Sequence, residues 1–288
     1  MEPRGDRDNK TTNGTEFQQK GRAVRLSPPA FAMRNHPLLR AMLLSAGPVV
    51  LLGVLAVDRA AAAEIPDHFE QLMTKGNVEF EFYDSRVERP RYPGMAIFQL
   101  YVDHRYRFRY EFEQSDGLRH VKIRPVMRKV EPRLSHKIRL PERFDNDDRW
   151  SHWLVAHEFD HVAVSTDPRP IMLLDHLLRK LGPIRRAVEP APWGNRQETV
   201  DASYVGRIIE EEIAKRRDAV ERLIRANYER LDELTRHGVR PLADRDAYFK
   251  SLYTEANLEQ MKFPYTAEAS SLLKSRVYQN AELPFEAP

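Results

Sequence analysis

The 288-residue chain contains no cysteine. That excludes disulfides, thiolate zinc sites, a cysteine nucleophile and thiolate-held iron–sulfur clusters, so any metal must be bound by His, Asp or Glu. A surplus of one charge is also missing once position is considered. The net charge is +3 and the pI about 9.0, but residues 1–63 carry nine Lys/Arg against five Asp/Glu. Removing them leaves 37 basic and 38 acidic residues, a net of −1. The signs are mixed along the chain, so no nucleic-acid partner is expected. No internal repeat is present. The longest apolar stretch, Ala41–Val57, is broken by Gly47-Pro48 and Gly53 and is marginal for a membrane span.

What is present fits an ordinary globular protein, with 41% hydrophobic and 31% charged residues. Residues 1–32 are polar and aperiodic, and read as disordered or as a mis-assigned gene start. Met33 opens a short positive segment, followed by the apolar centre and Ala60–Ala63. This is the pattern of a secretory signal peptide over residues 33–63, cleaved after Ala63. It predicts export to the periplasm or the exterior. The alternative is an anchor through residues 41–57. Residues 64–240 then form one domain, and 241–288 a weakly patterned C-terminal extension.

Within that domain, strands precede helices. Val78–Phe82 alternates apolar and charged residues, Ile97–Val102 is apolar, and Arg105–Glu113 places Tyr106, Phe108, Tyr110 and Phe112 on one side. That aromatic row reads as sheet core. After the turn Ser115-Asp116-Gly117, Val121–Val130 and Ser135–Leu140 extend the pattern. The expectation is an antiparallel meander of four to five strands. Helical spacing follows Pro141: Asp145–Asp148 offers N-caps, and Trp150, Leu154, His157 and His161 share one face. A second helix is expected around Ile171–Leu181, then a loop at Glu189–Asn195. A long amphipathic helix runs from Thr199 to His237, capped by Gly238. The fold class is α+β.

The chemistry-bearing string is His157-Glu158-Phe159-Asp160-His161. Residues four apart on a helix lie one turn apart on the same face, so both imidazoles can reach one ion, as in the zinc pattern H-E-x-x-H. Glu158, rotated by about 100° from His157, sits beside the ion. There it can act as general base on zinc-bound water and pass the proton to a leaving amine. Two imidazoles on an apolar face are costly unless something ligates them. The predicted reaction is hydrolysis of a peptide bond in a protein or peptide substrate, with Zn2+ as cofactor.

From these residues the chain resembles the zincin metallopeptidases, in which an antiparallel sheet precedes the H-E-x-x-H helix and an edge strand pairs with extended substrate. Lys137–Leu140 would be that edge. More closely, Val78–Gly238 resembles a bacterial family of predicted secreted zinc-dependent proteases. The shared features are Leu140-Pro141, Trp150, the H-E-x-x-H, and a long helix closing with Tyr228 and Thr235-Arg236-His237-Gly238. That family usually has Gly where this chain has Asp160.

A catalytic zinc needs three protein ligands and an open position. His237 ranks first for the third ligand, because it matches the Thr-x-His-Gly element of that family. Asp167, six residues after His161, ranks second, although Val164 stands where metzincins need Gly. Glu211, or its neighbours Glu210 and Glu212, ranks third. Asp160 reads as an acceptor behind a ligand or as a surface acid. Trp150 and Trp153 read as core. His120, His136, His152 and His176 read as solvent-facing or structural. Competing functions are a non-catalytic envelope protein on the same fold, a zinc hydrolase acting on another amide such as a peptidoglycan cross-link, and a membrane-anchored scaffold.

Overall fold

The computed structural model describes residues 17–20, 64–115, 117–188 and 200–283. The signal segment 33–63, most of 1–32, Asp116 and the loop 189–199 lie outside the described residues. The architecture is mixed: a five-stranded sheet with helices, consistent with the α+β expectation. The chain forms β1 (Phe17–Lys20), α1 (Asp67–Gly76), β2 (Val78–Tyr83), β3 (Met95–Ser115) and β4 (Leu118–Pro141). It continues with α2 (Trp153–Thr166), α3 (Pro168–Arg179), β5 (Ile184–Ala187) and α4 (Ala202–Thr235). Four short helices close it, α5 (Arg245–Ser251), α6 (Glu255–Gln260), α7 (Thr266–Leu273) and α8 (Arg276–Gln279).

The sheet is not the expected meander. Its order is β1-β3-β4-β2, with β5 also on β4, and β2 runs parallel to β4. The two strands expected before the hairpin are one 21-residue strand, and the two after it are one of 24. The physical reason lies in β3. Phe98, Leu100, Val102, His104, Tyr106 and Phe108 are all buried, an unbroken period of two. His104 belongs to that core face because its Nε2 meets both Glu210 carboxylate oxygens at 3.0 and 3.1 Å, which satisfies an imidazole otherwise costly to bury. The aromatic row leaves the core towards the tip, and Phe112 is 42% exposed. In β4, Pro125 and Pro132 fall between the segments paired to β5 (120–123) and β2 (136–141). A strand paired on one side only tolerates a missing N–H.

Lys137–Leu140, expected at the edge, is interior: it pairs with β2 on one side and β3 on the other. Among the described residues, the open edge near the helices belongs to β3, because β1 covers only Arg105–Phe108.

The motif helix α2 is not amphipathic but almost wholly buried, from His157 through Ser165. Its back packs Phe159 against Phe69, Phe80 and Trp150, with ring centroids 4.5–6.2 Å apart. Trp150 sits in a 3-10 turn before the helix, while Trp153 is 50% exposed rather than core. His152, not the Asp145–Asp148 run, caps α2, its Nδ1 accepting from the Leu154 N–H at 3.1 Å. The other side of α2 is covered by residues 241–283. Tyr253 donates its hydroxyl to Val164 O at 2.7 Å, and Tyr248, Phe249, Leu252 and Leu258 are buried. The expected C-terminal extension is therefore part of the core.

Candidate metal centre

The centre lies where α2 meets the last turns of α4. His157 and His161 stand one turn apart on α2, and Asp232 on α4 faces them. Asp232 Oδ1 lies 3.1 Å from each Nε2, and the two Nε2 atoms are 3.2 Å apart. Three ligand-type atoms thus form a near-equilateral triangle, and both histidines are buried. Tetrahedral coordination at about 2.0–2.1 Å sets ligand atoms about 3.3 Å apart, so the triangle fits a divalent ion almost without rearrangement. The group could hold a metal ion.

The electrostatics agree. Burial works against the Asp232 charge, but hydrogen bonds from His157 and His161 hold its carboxyl well below the usual range. Burial lowers the His161 pKa, keeping its ring neutral, the form that ligates. His161 Nδ1 is buried without a partner. The ring is flanked instead by Tyr228, with centroids 4.5 Å apart, whose hydroxyl donates to Ser165 Oγ at 2.9 Å. His157 Nδ1 faces Thr235 Oγ1 at 3.5 Å.

Glu158 sits beside the triangle, 2% exposed, and accepts a hydrogen bond from the Ala96 backbone N–H. That N–H belongs to the open edge of β3. Burial and then the Asp232 charge push the Glu158 carboxyl well above its ordinary value. Gly94 lies directly over it, where a Cβ would fall onto the carboxylate.

His237 is not among the converging atoms. The chain leaves α4 through Arg236, His237 and Gly238, all left-handed at φ +53°, +54° and +73°. This reversal stacks the His237 ring on Tyr92 at 3.7 Å and leaves its Nδ1 3.6 Å from Asp232 Oδ2. It neighbours the centre without completing it. Gly238 must lie close to His157, because a Cβ there would be 2.6 Å from the ring.

The other candidates are placed elsewhere. Asp167 is fully buried, caps α3 through the Arg169 N–H at 2.9 Å, and pairs with the Arg169 guanidinium at 2.5 Å. Glu211 is exposed. Glu210 is engaged by His104, and Glu212 by Arg186, Lys215 and Arg216. Asp160 is a buried partner of Arg245, not a surface acid and not the acceptor behind His161. Its carboxyl is pushed up to about 6 by burial, against the pull of Arg245. His136 is buried and structural, bridging Gly76 O and Ser165 Oγ at 2.6 Å each.

Sequence reasoning missed Asp232. Its signal was helical phase: it follows the buried Tyr228 by four residues and precedes the buried Thr235 by three, so it turns inward with them.

No protein-family model, no curated protein and no solved structure matches the chain. No helix among the described residues is long and apolar enough to cross a membrane.

Proposed function

We propose that the chain is a zinc-dependent metallopeptidase of zincin-like arrangement, with His157, His161 and Asp232 as ligands and Glu158 as general base. The observation that carries the reading is the convergence of two H-E-x-x-H imidazoles and one carboxylate oxygen at 3.1–3.2 Å. Two imidazoles and a carboxylate, with a fourth position left open, are a hydrolytic zinc set. When bound, the ion supplies Lewis-acid activation of water, lowering its pKa towards about 7. Glu158 takes the water's proton and delivers it to the leaving nitrogen. The Ala96 N–H orients the carboxylate for that transfer. His237, half-exposed beside Asp232, borders the face from which substrate reaches the centre. The open edge of β3 around Ala96, rather than Lys137–Leu140, is where an extended peptide would pair. Action outside the cytoplasm rests on the segment 33–63.

A second reading, a non-catalytic metal centre, is favoured by one observation: Glu158 is almost fully buried beneath Gly94. Metal analysis and a chelator-sensitive peptide-cleavage assay separate the two. The wild type is expected to bind about one zinc per chain, and Asp232→Ala to weaken binding by more than about a hundredfold, the upper end for loss of an outer partner. His237→Ala should keep the metal. Glu158→Gln should keep zinc and lose cleavage by about 10²–10⁴-fold. Zinc-free wild type refutes the metal centre. Cleavage undiminished in Glu158→Gln refutes the mechanism, and no cleavage by zinc-loaded wild type supports the non-catalytic reading.

A further inference from the structure

The long hairpin gathers charge that the linear sequence disperses. Beyond the β-bulge at Arg105/Tyr106, one face of β3 and β4 carries the core row Tyr106, Phe108, Val121 and Ile123, packed under α4. The opposite face carries an excess of cations. The register sets Arg109 directly opposite Arg124, Arg105 opposite Lys129, and, across β4 to β5, Lys122 opposite Arg185. Arg107 is the seventh cation on this face. Among the described residues four acids share it: Glu111 and Glu113 towards the tip, and Asp103 and Glu131, which face each other two residues below Arg105 and Lys129. Glu111 is shared by Arg124 and Lys122 at 2.9 and 3.9 Å, Glu113 by Lys122 and Arg185 at 2.9 and 3.6 Å, and Glu131 is reached by Lys129 at 2.7 Å.

Like charges directly opposite on neighbouring strands destabilise a sheet. Three such pairs on one face are a local conflict, of the kind proteins keep at functional surfaces. General basicity does not explain it, because residues 64–288 are net −1 while the described residues of this face, seven cations and four acids, are net +3.

Apolar side chains stand among the cations. On the cationic face Val126, opposite Arg107, is 51% exposed and Leu118, at the turn, 48%, while Phe112, on the other face of the strand and paired to Val121, is 42% exposed. The Arg119 guanidinium lies 3.7 Å over the Phe112 ring. A nucleic-acid face would present aromatic rings for stacking or an element shaped for a groove. Here Tyr106 and Phe108 are turned into the core. Cations at headgroup depth with a few apolar side chains projecting beyond them match a lipid interface.

We infer that the outer face of the β3–β4 hairpin, with Leu118 near its tip, docks on a membrane surface bearing anionic lipid. The hairpin lies along the surface through its arginines and lysines, and Leu118 and Val126 enter the headgroup layer. Ala96 and Phe112 are sixteen residues apart on β3, so at about 3.3 Å per residue the metal centre stands some 50 Å along the strand from the anchored tip.

The test is co-sedimentation of the full chain with vesicles of phosphatidylcholine alone and of phosphatidylcholine with about 30% phosphatidylglycerol, an anionic surface of the physiological kind. Comparing the two isolates charge-dependent binding from any partitioning of residues 41–57. Anionic lipid should raise binding of the wild type, and salt should erase the increment. Arg109→Glu/Arg124→Glu should lower the increment by at least about tenfold, since each cation near such a surface contributes about 1 kcal/mol. Leu118→Asp should lower it as well. Both variants sit on the solvent face, and an unchanged melting temperature verifies their fold. Equal binding to the two vesicle types, an increment that survives charge reversal, or retention on a polyphosphate resin without vesicle binding would each overturn the inference.

Discussion

His104 shows how one polar side chain can decide the length of a strand. It is a core residue of β3 only because Glu210 reaches across from α4. Burial disfavours its charged form, but the Glu210 carboxylate outweighs that and raises its pKa above 6.5. Glu210 is correspondingly held below 4.5. A raised histidine pKa contributes stability that is complete below 6.5 and lost as pH rises through the raised value. The lowered Glu210 contributes above 4.5 and is lost on acidification. The melting-temperature gap between wild type and His104→Leu should therefore be widest between pH 4.5 and 6.5. It should narrow as pH is raised to about 9. Melts across that range check this, and a gap independent of pH would contradict it.

At the scale of the element, the end of α4 governs the centre. Asp232 O accepts from both the Arg236 and His237 N–H groups, the latter at 2.8 Å. The chain then reverses through three consecutive left-handed residues, a conformation costly for any residue but glycine. Gly238 is needed there twice over, for its φ of +73° and for the 2.6 Å clearance to the His157 ring. Gly238→Ala should destabilise the protein by about 1–3 kcal/mol and weaken metal binding by displacing that ring. Thermal unfolding and metal titration read the two effects separately. Loss of stability with metal affinity intact would mean that the ring is held independently of the turn.

For the whole molecule, the C-terminal helices hold the motif helix in place. Without them Asp160 and Val164 would face water, and Arg169, buried against Asp167, would lose the carbonyl of Phe249 at 2.7 Å. Phe249 is 1% exposed. Phe249→Ala should cost about 3–5 kcal/mol, measured by denaturant unfolding. A cost below about 1 kcal/mol, typical of a surface substitution, would show residues 241–283 to be an appendage after all.

Local pattern determined much of this protein. The strand segments, the helix bearing His157, Glu158 and His161, the long helix and its turn at Gly238 were legible because period, breakers and capping residues act over a few positions. Tertiary structure decided the rest. The pairing of β2 parallel to β4, the interior position of Lys137–Leu140 and the core role of residues 241–283 depend on contacts far apart in sequence. The ligand grouping did too. His237 was suggested by residue type and a sequence likeness, but the facing carboxylate comes from Asp232, 71 residues beyond His161, brought there by the packing of α4 on α2. The cationic face arises in the same way, since Arg109 and Arg124, fifteen positions apart in a chain of mixed charge, become neighbours only when the hairpin sets its register.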